Sequence, residues 1–139
     1  MSAPHPRPDP VGAEDAHFWS YVAAGELRIQ CCANCGVHRH PPRPLCAECG
    51  STAVNWVPAS GRGEVWARTV IHPPTLPAFT ERTPYCAVVV RLDEGVFMVS
   101  TIVNRDPDDV VVGMPVQLVI TEVEPGLALP LCRVVDDSS

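Results

Sequence analysis

Two cysteine pairs with the spacing of metal ligands lie in the first half of the chain, ten residues apart. They read Cys32-Ala-Asn-Cys35 and Cys46-Ala-Glu-Cys49. Two cysteines spaced in this way present both thiolates to one ion from a tight turn, and two such turns complete the sulfur tetrahedron that Zn²⁺ accepts. Four protein ligands leave no open position for a reactive water. The spacing therefore predicts a structural zinc site rather than a catalytic one.

Alternative ligand sets involve the neighbours of these pairs. Two disulfides or four unrelated thiols are less compatible with so regular a spacing. Cys31 would replace Cys32 if the register differed by one residue. His38 and His40 lie between the pairs and carry a nitrogen that zinc accepts, but four thiolates already fill the tetrahedron. Both histidines are therefore predicted to lie on the surface.

The length of 139 residues suits one ordinary domain or two small ones. The leftover cysteines Cys86 and Cys132 lie in apolar runs, which predicts small buried side chains rather than disulfide partners. Metal-type spacing with unpaired leftovers favours a reducing compartment. The proline-rich N-terminus lacks a secretory apolar region, and no apolar run approaches the length of a membrane span. The sequence thus predicts a cytoplasmic protein that does not contact a membrane.

The charge is acidic overall but unevenly distributed. The net charge is −6, and all ten basic residues are arginines. Residues 28–91 contain seven arginines and three acidic residues, whereas residues 92–139 contain two arginines and nine acidic residues. An acidic chain is unsuited to non-specific nucleic-acid binding, which depends on neutralising phosphates. The arginine-rich middle is compatible with one small phosphorylated ligand.

The first part of the chain is predicted to hold a tail, a helix and the zinc-binding segment. Residues 1–12 contain four prolines and are predicted to be a disordered tail. A helix is predicted from Ala13, with Asp15 as its cap and Gly25 at its end. Residues 13–60 form the predicted N-terminal unit, with short strands at residues 26–30 and 54–57.

The second part of the chain has the pattern of a small β-barrel. Apolar runs of about seven to nine residues are separated by turn residues such as Asp93-Glu94-Gly95. Five strands are predicted, at residues 63–71, 84–92, 96–103, 116–123 and 127–135. Five short strands in residues 61–135 indicate an OB-fold, followed by an acidic tail at 136–139. Several strands are apolar on both faces, so we expect the ribbon, the helix or a partner to cover part of the outer wall.

Catalytic motifs are absent from the sequence. It contains no GxSxG, GxxxxGK[ST] or HExxH pattern. The acidic run Asp106–Asp109 lacks the spacing of a calcium loop and is predicted to be solvated. Nothing in the pattern brings His72 near Cys86. The sequence therefore predicts no catalytic residue.

The ordered combination of motifs resembles a known family. The aromatic pair Phe18-Trp19 is followed by Gly25-Glu-Leu-Arg-Ile-Gln30, the two cysteine pairs and Gly61-Arg62-Gly63. This order resembles the DUF35 family over about residues 15–135. The resemblance implies a mainly β chain in which an N-terminal helix and a rubredoxin-like zinc ribbon precede a C-terminal five-stranded OB-fold barrel. It also implies Zn²⁺ as a structural cofactor held by Cys32, Cys35, Cys46 and Cys49.

The function implied by the resemblance is that of a non-catalytic subunit. Family members associate with thiolase-superfamily enzymes, including hydroxymethylglutaryl-CoA synthase and lipid-transfer-type aldolases that cleave steroid side chains. The implied partner is a thiolase-superfamily protein in a hetero-oligomer, with acyl-CoA near the shared interface. The residues expected to contact the partner or acyl-CoA are aromatic, apolar or basic: Phe18, Trp19, Arg43, Leu76, Phe79 and Arg82.

Two other functions compete with an accessory subunit. Zinc ribbons and OB-folds also occur in proteins that bind single-stranded nucleic acid, but these need a basic groove with stacking aromatic residues. The net charge of −6 and the absence of lysine disfavour such a module. A free-standing enzyme is disfavoured because no catalytic constellation is found.

Overall fold

The structure is a computed structural model, and it describes residues 12–71 and 85–135. The predicted tails at 1–12 and 136–139, apart from Gly12, lie outside the described residues. So do residues 72–83, which join the first two predicted barrel strands and include Leu76, Phe79 and Arg82. The described chain is mainly β, with one N-terminal α-helix, a small three-stranded sheet and a closed five-stranded barrel. The predicted fold class is confirmed.

Helix α1 spans Gly12–Ala23, so it begins one residue before the predicted start. Asp15 lies in its first turn, where a carboxylate interacts favourably with the helix dipole, rather than at the cap. Phe18 and Val22 are buried because their spacing of four residues places them on one face. The helix is followed by Gly25, whose φ of 84° allows the chain to turn into the next strand.

The zinc-ribbon segment contains three short antiparallel strands in the order β2-β1-β3. Their bounds are β1 Arg28–Cys32, β2 His38–Arg39 and β3 Val54–Pro58. Helix α1 packs on this sheet through aromatic contacts, with the ring centroids of Tyr21 and Trp56 separated by 5.6 Å. The guanidinium of Arg28 lies 5.2 Å from the centre of the Tyr21 ring, a cation–π distance.

The barrel closes in the strand order β4-β5-β6-β8-β7. Its strands are β4 Arg62–Ile71, β5 Tyr85–Leu92, β6 Phe97–Ile102, β7 Pro115–Glu124 and β8 Leu127–Val134. All neighbouring strands are antiparallel except β6 and β8, which meet in parallel where Ile102 lies beside Cys132. A 3₁₀ turn at Pro107–Asp109 precedes β7. This is the five-stranded barrel architecture of the OB-fold.

One hydrophobic core joins the barrel to the N-terminal unit. Alternate residues of β5 and β6 point inward, so Val88, Val90 and Met98 are each at most 3% exposed. Phe18 and Val22 of α1 and Ile29 of β1 belong to the same cluster of buried residues. The helix and the ribbon therefore share one continuous hydrophobic core with the barrel.

Polar contacts hold the connection between ribbon and barrel. The backbone amide of Ser60 donates to Glu94 Oε2 at 2.7 Å, and the Ser60 hydroxyl donates to Oε1 at 3.1 Å. Gln117 Nε2 donates to the Ser60 carbonyl oxygen at 3.0 Å. These bonds tie the linker between β3 and β4 to the β5–β6 turn and to β7.

Within residues 12–71 and 85–135, no helix is long and apolar enough to cross a bilayer.

Candidate metal centre

The four predicted ligand cysteines lie together at one end of the ribbon. Their sulfur atoms all lie within 4.8 Å of one another. The Cys32 and Cys49 sulfurs are 3.6 Å apart, as are the Cys35 and Cys46 sulfurs. A tetrahedron with Zn–S bonds of about 2.3 Å has sulfur–sulfur edges of about 3.8 Å. The four thiols are thus positioned to bind one metal ion, as the spacing predicted.

Two matching turns bring these thiols together. The amide of Gly36 donates to the Cys32 carbonyl at 2.9 Å, and the amide of Gly50 donates to the Cys46 carbonyl at 2.8 Å. Gly36 and Gly50 have φ angles of 80° and 75°, which a residue with a side chain rarely adopts. The Cys46 amide also donates to the Ser51 carbonyl at 3.0 Å, which closes the second turn. The glycine that follows each cysteine pair is therefore part of the metal-binding geometry.

The backbone around the cluster favours thiolates. The Cys35 amide lies 3.5 Å from the Cys32 sulfur, and its hydrogen bond is the main reason that the pKa of Cys32 is lowered to about 6. Amides of Cys49 and Glu48 likewise lower the pKa of Cys46. A hydrogen bond from the Val37 amide also lowers the pKa of Cys35. Desolvation and the neighbouring thiols together outweigh it and raise the pKa of Cys35 to about 12. All four sulfurs can be anionic together only with a cation between them, and a divalent metal supplies that charge.

Cys31 lies outside the cluster. Its thiol donates to the Gly36 carbonyl at 3.5 Å, and no sulfur contact joins it to the other cysteines of the described chain. The alternative register in which Cys31 replaces Cys32 is therefore excluded by the geometry. Cys86 and Cys132 are 1% and 0% exposed and belong to the barrel core, as predicted. Burial raises the pKa of Cys132 to about 12, which makes its thiol unreactive.

The histidines between the pairs do not join the metal cluster either. His38 and His40 are both partly buried, so they are less exposed than the surface positions predicted for them. The His40 ring packs 5.1 Å from the ring of Phe18, and burial lowers the pKa of His40 to about 4. The negative charge of Asp15 raises the pKa of His40, but by less than burial lowers it. His40 is thus a neutral packing residue between the helix and the ribbon.

Gln30 organises the segment between the cysteine pairs, and sequence reasoning missed this role. Its side chain is 1% exposed, and its Oε1 accepts from Arg39 Nε at 2.9 Å and from the Arg43 amide at 2.7 Å. Arg39 in turn donates from Nη2 to the Arg43 carbonyl at 3.0 Å. A glutamine beside the apolar Ile29 in a predicted strand was the available signal. Its burial could not be predicted because it breaks the alternation of a strand: the adjacent Ile29 is buried as well.

The residues predicted to contact a partner fall into three groups. Phe18 is 5% exposed and contributes to the core of this chain rather than to its surface. Trp19 is partly buried and lines a surface depression together with Val99 and Leu131. Arg43 is exposed beside the ribbon. Three further candidates lie outside the described residues: Leu76, Phe79 and Arg82.

Comparison with known proteins assigns both halves of the chain. Residues 19–55 match a family model described as the rubredoxin-like zinc ribbon domain of ChsH2, and residues 56–121 match its C-terminal OB-fold domain. A solved structure described as an Ltp2-ChsH2(DUF35) aldolase contains a chain that is 38% identical, with a TM-score of 0.84. The alignment covers 91% of this chain and 98% of that one.

Curated relatives include longer and shorter proteins. A probable enoyl-CoA hydratase alpha subunit of Thermomonospora curvata is 43% identical over 91% of this chain and 40% of its own length. The 3-oxo-4,17-pregnadiene-20-carboxyl-CoA hydratase alpha subunit of Mycobacterium tuberculosis is 42% identical over 75% of this chain and 32% of its own length. The chain thus spans less than half of these two relatives. A DUF35 domain-containing scaffold protein of Methanothermobacter thermautotrophicus is 34% identical, over 66% of this chain and 69% of that protein. The chain belongs to the DUF35 family and has the zinc ribbon and OB-fold of ChsH2.

Proposed function

We propose that this chain is a non-catalytic accessory subunit of a thiolase-superfamily enzyme, specifically a lipid-transfer-type aldolase that acts on a CoA thioester in steroid side-chain degradation. The observation that carries the proposal is the likeness, over nearly the whole of both chains, to one chain of an aldolase whose description names two components. The scaffold name of the archaeal relative supports a role in assembly. We propose that the protein is cytoplasmic and that residues 13–60 and 61–135 are its two units.

The substrate class is proposed from the names of the longer relatives. One of them is a hydratase for a steroid carboxyl-CoA with an unsaturated side chain. Hydration of an enoyl-CoA gives a β-hydroxyacyl-CoA, and an aldolase can break the bond between the α and β carbons of such a product. The proposed substrate of the complex is therefore a β-hydroxyacyl-CoA thioester of a steroid. We assign the chemistry to the partner because the described residues of this chain form no nucleophile–base pair.

The metal has a structural role in this proposal. Zn²⁺ held by Cys32, Cys35, Cys46 and Cys49 would fix the ribbon and leave no position for substrate. Arg43 projects from the segment that the ribbon orders, and we propose that it contacts the partner or the acyl-CoA near the shared interface.

Single-stranded nucleic-acid binding is the second candidate. Trp66 and Phe97 are 56% and 41% exposed on the outside of the barrel, where stacking aromatic residues of OB-folds are found. The net charge of −6 favours a protein partner instead, and Arg91, the basic residue opposite Phe97, is already paired with Glu64.

The test is co-expression with the thiolase-like aldolase subunit encoded nearest to this chain. Size-exclusion chromatography should show co-elution, with about one zinc per copy of this chain. Cleavage of a β-hydroxyacyl-CoA steroid should need both chains and should be absent with either alone. A zinc-loaded chain that elutes apart from the aldolase and does not change its activity would contradict the proposal.

A further inference from the structure

The outer face of strands β4, β5 and β6 is unusually apolar for a surface. Trp66, Phe97 and Val99 are 56%, 41% and 72% exposed. The register places Val99 beside Val89, and Val89 beside Ala67, so these side chains form one row across the three strands. On β5 and β6 the neighbours of Val89 and Val99 along the strand are buried in the barrel, which leaves these two valines facing outward. We call this row, with Trp66 and Phe97, the docking face.

The docking face continues onto the ribbon and the helix. Phe97 and Val37 of the ribbon line a cleft of ≈ 240 Å³. The Trp66 and Phe97 ring centroids are 4.9 Å apart, which joins that cleft to the row of valines. On the other side, Val99 shares a depression of ≈ 330 Å³ with Trp19 and Leu131. The three structural units of the chain therefore contribute to one surface, and their packing into one core fixes its shape.

The border of this surface is positively charged although the whole chain is acidic. Arg68 lines a third depression, which Val99 shares with Ala67 and Val89. Arg39 and Arg43 line the cleft beside Phe97. Within the described ranges, none of these three arginines has a carboxylate within salt-bridge distance. Glu48 is the one acidic side chain among the described residues that line the three depressions. The complementary partner is therefore an apolar protein surface bordered by carboxylates.

Two other occupants fit the surface less well. In a symmetric dimer of this chain the same patch would face itself, so the arginine border would meet another arginine border. Single-stranded nucleic acid would need free aromatic faces for stacking. Here the two exposed rings contact each other, and the row beside them is aliphatic.

We propose that the docking face binds the catalytic subunit of the aldolase, through an apolar surface of that subunit bordered by acidic residues. This inference rests on the proposed function and adds which side of the chain forms the interface. Val99 lies near the centre of the face, and its replacement by glutamate would bury an unpaired charge in the complex. At its solvated position in the free chain, the same change leaves the fold intact.

The test compares Val99→Glu with Val135→Glu. Val135 is 43% exposed and follows β8 four residues after Leu131, roughly 13 Å along the strand direction. Affinity for the co-expressed aldolase subunit is measured by biolayer interferometry, with thermal unfolding and zinc content as controls for folding. We expect Val99→Glu to weaken binding at least about 100-fold and Val135→Glu to change it less than about threefold. Arg68→Glu should slow association with the aldolase subunit and make the association rate less dependent on salt concentration.

The outcomes separate this inference from the function on which it rests. If the wild-type chain binds the aldolase subunit and Val99→Glu binds equally well, the docking face is wrong while the accessory role stands. If the wild-type chain does not bind the aldolase subunit, both the docking face and the accessory role are wrong. Two further results would overturn the assignment, in each case if Val99→Glu leaves binding to the aldolase subunit unchanged. One is that Val99→Glu abolishes self-association of the wild-type chain. The other is that it abolishes binding of a fluorescent single-stranded oligonucleotide.

Discussion

At the scale of single residues, the cysteines and His40 differ in how far sequence reveals their role. A metal site that four thiols build needs only local spacing, so the sequence predicts it completely. The state of His40 depends on Phe18, which lies 22 positions earlier in the chain and on another element. The sequence therefore predicted a surface histidine, whereas the structure shows a partly buried neutral ring.

His40 makes stability depend on pH. Its pKa is lowered to about 4 in the folded chain, against about 6.5 when unfolded. Between these values the unfolded chain binds more protons, so the free energy of unfolding falls as the pH falls. We expect a loss of about 1 kcal/mol between pH 7.5 and 5.5. Urea unfolding at the two pH values measures it.

The control for this prediction is His40→Gln, which cannot gain a proton. It should be less stable at pH 7.5 but should lose less stability on going to pH 5.5. Zinc content is measured at both pH values, because protonation of the cysteines would also destabilise the ribbon. Equal pH dependence in both proteins, or an NMR titration of His40 centred near pH 6.5, would contradict the assigned burial.

At the scale of elements, the apolar pattern locates long strands well and very short strands poorly. All five barrel strands were predicted to within one residue at each end. Strand β2 was missed because it has two residues, His38 and Arg39, and is followed by prolines. It forms because β1 offers a free edge, with Gln30 opposite Arg39. Such a strand is specified by its partner rather than by its own sequence.

Gly63 is required by the pairing of β4 with β5. A Cβ at this position would lie within 3.0 Å of three backbone atoms of Arg91 and Leu92, the nearest being the Arg91 carbonyl oxygen. Backbone cannot move away as a flexible side chain can, so Gly63→Ala should separate the strands locally. We expect a loss of about 3 kcal/mol in the free energy of unfolding.

Gly95→Ala is the matched control for Gly63→Ala. Gly95 has a φ of 88°, and a Cβ there would meet nothing within 4 Å. This change therefore carries only the backbone cost, about 1 kcal/mol. Urea unfolding of both variants distinguishes crowding from backbone strain. A Gly63→Ala cost no greater than that of Gly95→Ala would show that β4 and β5 do not approach as closely as described.

At the scale of the whole molecule, the apolar outer wall of the barrel is divided between two roles. The sequence predicted that the ribbon, the helix or a partner would cover it. The structure shows α1 packed against β8, while Val99 on β6 stays exposed. Sequence alone could not show which part of the wall the helix covers and which part stays exposed. Outward valines on β5 and β6 have the same sequence pattern whether a helix or a partner protein covers them.

Removal of the metal should affect the entire described chain, because ribbon and barrel share one core. Ile29 of β1 lies in the same buried cluster as Val88 and Val90 of the barrel, so an unfolded ribbon would expose barrel residues to water. A zinc chelator should therefore lower the midpoint of one cooperative thermal transition by more than about 10 °C, rather than produce two transitions. Circular dichroism and amide hydrogen exchange of the barrel strands would measure this.

Two cysteine variants test the same coupling without a chelator. Cys49→Ser removes a ligand and should reproduce the effect of the chelator, including the loss of zinc. It should also abolish binding to the aldolase subunit, because Val37 and the cleft beside Phe97 depend on an ordered ribbon. Cys31→Ser is the control, since its thiol contacts the Gly36 carbonyl and lies outside the cluster. It should keep zinc and the wild-type transition. If barrel amides in zinc-free Cys49→Ser exchange as slowly as in the wild type, the barrel is stable without the ribbon, and the shared core does not couple them.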